Sequence, residues 1–183
     1  MIIKDHFLTQ EEFHIEETST KGVFKTTPLP SNLDRYYESE NYISHHQDSG
    51  SLKEKLYKYL QGFNLKYKKN IVLNHLQTGP NILDYGCGAG EFLKFIEDDF
   101  NSFGFEPNAQ ARNAAEKKLS KTKIISALNL INAGSLETIT LWHVFEHIEN
   151  QDEILNIFNQ KLKKGGILII AVPNPDSFDA KHY

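Results

Sequence analysis

Residues Ile82-Leu83-Asp84-Tyr85-Gly86-Cys87-Gly88-Ala89-Gly90-Glu91-Phe92-Leu93 run from an apolar segment through an acid and three alternating glycines into a helix-forming stretch. Glycines at 86, 88 and 90 permit backbone conformations closed to other residues and let a ligand approach the main chain without a Cβ in the way. A strand feeding such a turn and then a helix is the entry to an open α/β sheet, where ligands bind beyond the carboxyl ends of the strands at the point where strand order reverses. The downstream pattern agrees. Short apolar runs predict strands at 81–85, 102–106, 122–126, 138–142 and 166–172, with helices near 90–98, 108–119 and 151–163, the last ended by Gly165-Gly166. Near-continuous apolar strands separated by helices indicate a mostly parallel sheet covered on both faces, so the expected fold is α/β and doubly wound.

Upstream, residues 51–78 predict a leading helical segment. Leu52, Leu56, Tyr59, Leu60, Phe63, Tyr67, Ile71 and Leu76 recur at helical spacing behind a Ser51/Glu54 capping box, as one helix or as two divided near Gly62. Residues 1–50 show no sustained period and read as an irregular N-terminal arm or lid, leaving 51–183 as the cofactor domain. The chain of 183 residues suits one core of ordinary size.

Charge is divided along the chain. Lys53, Lys55, Lys58, Lys66, Lys68 and Lys69 crowd one stretch without any arginine, and their interleaving with the apolar stripe reads as a solvated helix face rather than a phosphate-binding one. No nucleic-acid partner is expected. A single cysteine forms neither an internal disulfide nor a thiolate zinc site, and no run of 18 apolar residues or secretory leader is visible. A soluble cytoplasmic protein without membrane contact is the expectation.

The glycine pattern narrows the ligand. A dinucleotide fingerprint would need glycine at position 91, which is Glu91, and no Gly-Lys-Ser/Thr follows as in a P-loop. A pyrophosphate on this helix N-terminus would meet Glu91 and Asp84 with no local cation before Lys94, whereas an ammonium or sulfonium ligand would be welcome.

The Asp-x-Gly-x-Gly-x-Gly run after an apolar strand resembles the first motif of class I S-adenosylmethionine-dependent methyltransferases, and in particular small-molecule enzymes of the ubiquinone-biosynthesis O-methyltransferase branch. Glu106 closes the second strand, Thr138–Ile148 resembles the family's fourth strand and following loop, Lys163–Asn174 its fifth-strand segment, and Tyr36–His45 a segment some members place over the cofactor. The resemblance implies a Rossmann-like sheet that holds S-adenosylmethionine and releases S-adenosylhomocysteine. It implies cofactor contacts from Tyr42, His45, Asp84, Gly86, Cys87, Gly88, Gly90, Glu106, Pro107, Ala127 and His143, with the Glu106 carboxylate accepting from both ribose hydroxyls. It implies a small-molecule methyl acceptor and is compatible with a homodimer. Two departures stand out. Ser126-Ala127-Leu128-Asn129 replaces the acid that many relatives use near the third strand's end, and only five of the family's seven strands are found, which predicts a truncated or shortened chain whose fifth strand is an unprotected edge.

His143-Val144-Phe145-Glu146-His147 matches an inverted zinc-peptidase signature, but the first histidine directly follows a strand and no third ligand is evident, so no metal is expected. In the methyltransferase reading His147, His143 or Glu146 could serve as general base, His147 and Glu146 first; a hydrogen-bonded pairing of His147 with Glu146 that orders the loop is equally consistent with their spacing. Cys87 reads as a small residue packed beside the cofactor rather than a nucleophile. The alternative function is a binding module that keeps the nucleotide site without turnover.

Overall fold

Three short strands open the described chain: β1 (Ile2–Lys4), β2 (Glu12–Glu17) and β3 (Phe24–Thr27), paired antiparallel with Ile3 opposite Phe13 and His14 opposite Thr27. The N-terminal fifty residues are therefore not irregular throughout. Only Phe13 of this sheet is buried, so its strands carry no apolar alternation by which sequence could announce them. The computed structural model describes residues 2–5, 10–28, 52–76, 80–174 and 176–177, and the chain divides into two compact units, Met1–Glu54 and Lys55–Tyr183.

Helix α1 (Leu52–His75) runs unbroken through Gly62. Its inward side chains are Leu65, Val72 and, just past its end, Leu76, which pack with Ile82, Phe92, Leu93, Ile96 and Phe100. The aromatic members of the expected stripe face the other way. Tyr59, Phe63 and Tyr67 are between 63% and 71% exposed, because packing against the sheet selected the aliphatic face over the aromatic one.

The second unit is a single parallel sheet made by β4 (Asn81–Tyr85), β5 (Asn101–Phe105), β6 (Lys123–Ile125), β7 (Leu136–Trp142) and β8 (Leu162–Ala171), in the order β6-β5-β4-β7-β8. The intervening helices are α2 (Glu91–Ile96), α3 (Ala109–Lys118) and α4 (Gln151–Lys161), the last two capped at their N-termini by Asn108 and Asn150, whose side chains accept from the Ala111 and Glu153 amides. Successive residues of β4 point to opposite faces. Ile82 enters the cluster under α1 and α2, while Leu83 joins Ile139, Leu141, Ile154 and Phe158 under α4. Both faces are thus covered, and strand order reverses at β4, which has β5 on one side and β7 on the other.

Gly165-Gly166 does not end α4. The helix stops at Lys161, where Leu162 turns extended, and the glycines lie inside β8. Between Leu136–Leu162 and Thr138–Ile167 the pairing advances five residues on β8 against two on β7, so the glycines sit in a bulge. Beyond it β8 pairs regularly with β7 and forms an edge of the sheet among the described residues.

Candidate functional site

β4 ends at Asp84 and Tyr85, and the chain then turns through Gly86, Gly88 and Gly90, all with φ between +55° and +77°. The loop is tied to the end of β5: the Gly86 and Cys87 amides both donate to the Phe105 carbonyl, at 2.7 and 3.1 Å. A Cβ on Gly86 would stand 2.5 and 2.7 Å from the Val144 methyls, so this glycine is required by packing. Gly88 is different. Nothing lies within 4 Å of where its Cβ would be, and its amide donates to Glu106 Oε2 at 2.8 Å. The second Glu106 oxygen accepts from the Asn108 amide at 2.9 Å, so two main-chain donors fix a buried carboxylate at the sheet's carboxyl edge. Each oxygen keeps a lone pair for a further donor.

In front of this loop is a cavity of about 480 Å³. Its walls include Asp84, Gly86, Cys87 and Gly88 from the loop region, Trp142 from the end of β7, and Lys68 from α1. Asp84 is 3% exposed and accepts from the Thr140 hydroxyl at 2.7 Å. Burial pushes its carboxyl up to about 7; the Thr140 hydrogen bond and the Lys68 charge oppose that rise and Glu106 adds to it.

Cys87 is buried, and its thiol is pushed up to about 12, first by burial and then by the charges of Asp84 and Glu106. Its place beside a helix start does not activate it. Native protein at pH 8 should therefore react with iodoacetamide at least about 100-fold more slowly than unfolded chain, read by mass of the alkylated product; labelling at the unfolded rate would show the thiol to be accessible and ionised.

The remaining expected residues divide. Gly90 caps α2 behind the loop, where its Cβ would press on Leu119 and Ala115. Pro107 is exposed, its carbonyl accepting from Arg112. Ala127 is part-buried and precedes a short 3-10 turn, Leu128–Leu130, with Asn129 exposed. His143 follows β7 at φ +60°, its amide donating to the Ala171 carbonyl at 2.9 Å. Glu146 Oε1 stands 3.8 Å from His143 Nδ1 and 4.0 Å from His147 Nε2, beyond hydrogen-bond reach, so no hydrogen-bonded His–Glu pair orders this turn. None of these three lines the cavity. Tyr42 and His45 lie outside the described residues. Among the described residues no three His, Cys, Asp or Glu side chains form a metal-holding group, and no helix is long and apolar enough to cross a membrane.

Two lysines escaped sequence reasoning. Lys68, expected on a solvated face, turns into the cavity, and Lys118 from α3 reaches Glu91. The carboxylates of the loop are therefore not without cations, as the local sequence had suggested. The available signal for Lys68 was its place at helical spacing between Leu65 and Val72, on the buried side.

The sequence profile of a methyltransferase domain matches residues 55–183. The chain belongs to the methyltransferase domain family. It is 28% identical over 102 residues to an uncharacterised methyltransferase of Geobacillus kaustophilus, covering 52% of this chain and 47% of that protein. It shares its fold with a SAM-dependent methyltransferase from Archaeoglobus fulgidus (22% identity, 67% of this chain and 57% of that one, TM-score 0.57). It likewise matches the plantazolicin methyltransferase BpumL, crystallised with a triazolic desmethylPZN analog and SAH (22% identity, 82% and 57% of the two chains, TM-score 0.59). The chain spans about half the length of the curated relatives it matches. For a methyltransferase domain, the open space at Gly88, the braced Glu106 carboxylate and the buried, unpartnered Nε1 of Trp142 suit an adenosyl ligand that brings a diol and polar groups of its own.

Proposed function

We propose that this domain binds S-adenosylmethionine at the carboxyl end of β4 and transfers its methyl group to a small-molecule acceptor. The observation that carries the reading is Gly88: a left-handed backbone residue with open space where a side chain would stand, its amide held on the Glu106 carboxylate. Asp84, the Gly86–Gly88 main chain and Glu106 would hold the donor, which when bound supplies an electrophilic methyl and a neutral thioether leaving group. The protein's own share is then positioning, since approach distance and angle decide the rate of an in-line displacement. Gly90 supports the loop from behind, and Cys87 packs beside the donor as an un-ionised thiol. His147 or Glu146 is the proposed acceptor where the nucleophile must lose a proton. A small-molecule acceptor is in keeping with the plantazolicin enzyme among the fold neighbours.

A second reading, a binding module without turnover, is favoured by the absence of His143, Glu146 and His147 from the cavity wall. The two part in a paired experiment. S-adenosylhomocysteine at 100 times its dissociation constant should stabilise the chain by about 2.7 kcal/mol, roughly 5 to 10 °C in a thermal scan. Incubation with labelled methyl donor and a metabolite library should then yield labelled product. A thermal shift without product would favour the module, and tight NAD binding with no response to S-adenosylhomocysteine would overturn both.

A further inference from the structure

The chain turns from β5 into α3 through Phe105, Glu106, Pro107 and Asn108, and each of these four consecutive carbonyls accepts a hydrogen bond. Phe105 takes the Gly86 and Cys87 amides. The other three are served by Arg112: its Nη1 donates to the Glu106 carbonyl at 2.8 Å and to the Pro107 carbonyl at 3.0 Å, and its amide donates to the Asn108 carbonyl at 2.9 Å. One residue thus spans the corner that carries the Glu106 carboxylate. The amide bond is ordinary helix geometry, but the side-chain contacts are not. Arg112 is the fourth residue of α3, at the positive end of the helix dipole, where a cation is disfavoured. The other bases of α3, Lys117 and Lys118, lie in its last turn, where the dipole favours them.

Solvent reaches Pro107, so water can pair its carbonyl, and ordering a long side chain costs entropy. What the guanidinium adds is a fixed direction. The proline ring holds its own φ and disfavours the helical region at Glu106, and the two N–H groups of one planar Nη1 then fix the peptides on either side of Pro107. Glu106 needs this. Its oxygens already accept from the Gly88 and Asn108 amides at 2.8 and 2.9 Å, which leaves a narrow set of directions for two further donors at once. A pair of neighbouring hydroxyls meets both oxygens only where the carboxylate is held to within about 0.5 Å. Building on the donor-binding reading above, in which Glu106 accepts from the ribose diol, we infer that Arg112 is a positioning residue that sets the preference for an intact diol through Glu106. Its effect falls on selectivity, since a ligand without hydroxyls has no use for an aimed carboxylate.

The test is calorimetric titration of the full chain and its Arg112→Met and Arg112→Lys variants with S-adenosylhomocysteine and with its analogue lacking both ribose hydroxyls. The unaltered chain should prefer S-adenosylhomocysteine by at least about 30-fold. Arg112→Met should weaken S-adenosylhomocysteine roughly tenfold and leave the analogue within about twofold, while Arg112→Lys, still a cationic donor but without the planar fork, should recover to within about threefold of the unaltered chain. Thermal scans show whether each variant is folded at the titration temperature; should Arg112→Met not be, Arg112→Gln, which keeps one donor group, replaces it with the same expectation. An equal loss for both ligands, or an unchanged preference in the folded variant, would overturn the assignment of Arg112 alone. No heat from S-adenosylhomocysteine with the unaltered chain would instead overturn the donor-binding reading, and equal affinity of the unaltered chain for both ligands would overturn the role of Glu106; this inference falls with either.

Discussion

Gly88→Ala should abolish measurable binding of S-adenosylhomocysteine, a loss of at least about 100-fold or 2.7 kcal/mol, while the chain still folds. The added methyl enters open space, so the folded state bears only the left-handed strain of about 1 kcal/mol, some 2 to 4 °C of melting temperature. The Gly88 amide and its bond to Glu106 are kept, so any loss belongs to the space in front of the loop. Gly86→Ala is the contrasting substitution. There the methyl would strike the Val144 side chain at 2.5 Å on top of a φ of +74°, and the cost should reach about 3 kcal/mol, roughly 10 °C, whatever the ligand. Thermal scans and calorimetry on the two variants separate binding from folding. Full affinity in a folded Gly88→Ala protein would remove the glycine loop from the proposed site.

Asp84→Asn should make the empty protein more stable at pH 8, less than half as much so at pH 5, and leave it nearly unchanged at pH 3. In the unfolded chain this carboxyl titrates near 3.9, and in the fold near 7. Between those values the unfolded state has lost the proton that the folded state keeps, so Asp84 subtracts stability as pH rises through that window, and the subtraction is complete above about pH 7. Asparagine cannot ionise and can still accept from Thr140, so urea unfolding at pH 8 should show a gain of about 2 to 4 kcal/mol. The same change should weaken S-adenosylhomocysteine at least about tenfold, because a cationic ammonium loses its carboxylate. With the unaltered chain, binding near pH 6 should expel a proton, seen as a binding heat that varies with the ionisation enthalpy of the buffer. A variant no more stable than the parent at pH 8, with no proton release by the parent, would show Asp84 to be ionised throughout.

The sheet was largely legible because its central strands β4 and β7 are buried on both faces, so Ile82-Leu83 and Ile139 to Leu141 form apolar runs, and the half-buried edge strand β8 still carries the apolar run Ile167 to Ile170. Asp84 and Gly88 were legible for the same reason: the loop's chemistry is contiguous in the chain. What depended on distant parts of the chain was not. The aromatic stripe of α1 looked like a core face until the sheet chose Leu65 and Val72 instead. That choice rotated Lys68 inward, and Lys118 reached Glu91 across 27 positions. Gly165-Gly166 has the composition of a helix stop, yet β8 absorbs it as a bulge against β7. The N-terminal strands, mostly solvated, offered no period to read.

β4 has a neighbour on each side, with Asp84 opposite both Gly104 and Thr140. Its amides should therefore be among the last in this sheet to exchange with deuterated solvent, opening only as the sheet itself unfolds. The anchor of the site would then persist to the end of thermal melting, while the loop beyond it is free to breathe, and ligand capture should fail by fraying of the rim before it fails by loss of the foundation.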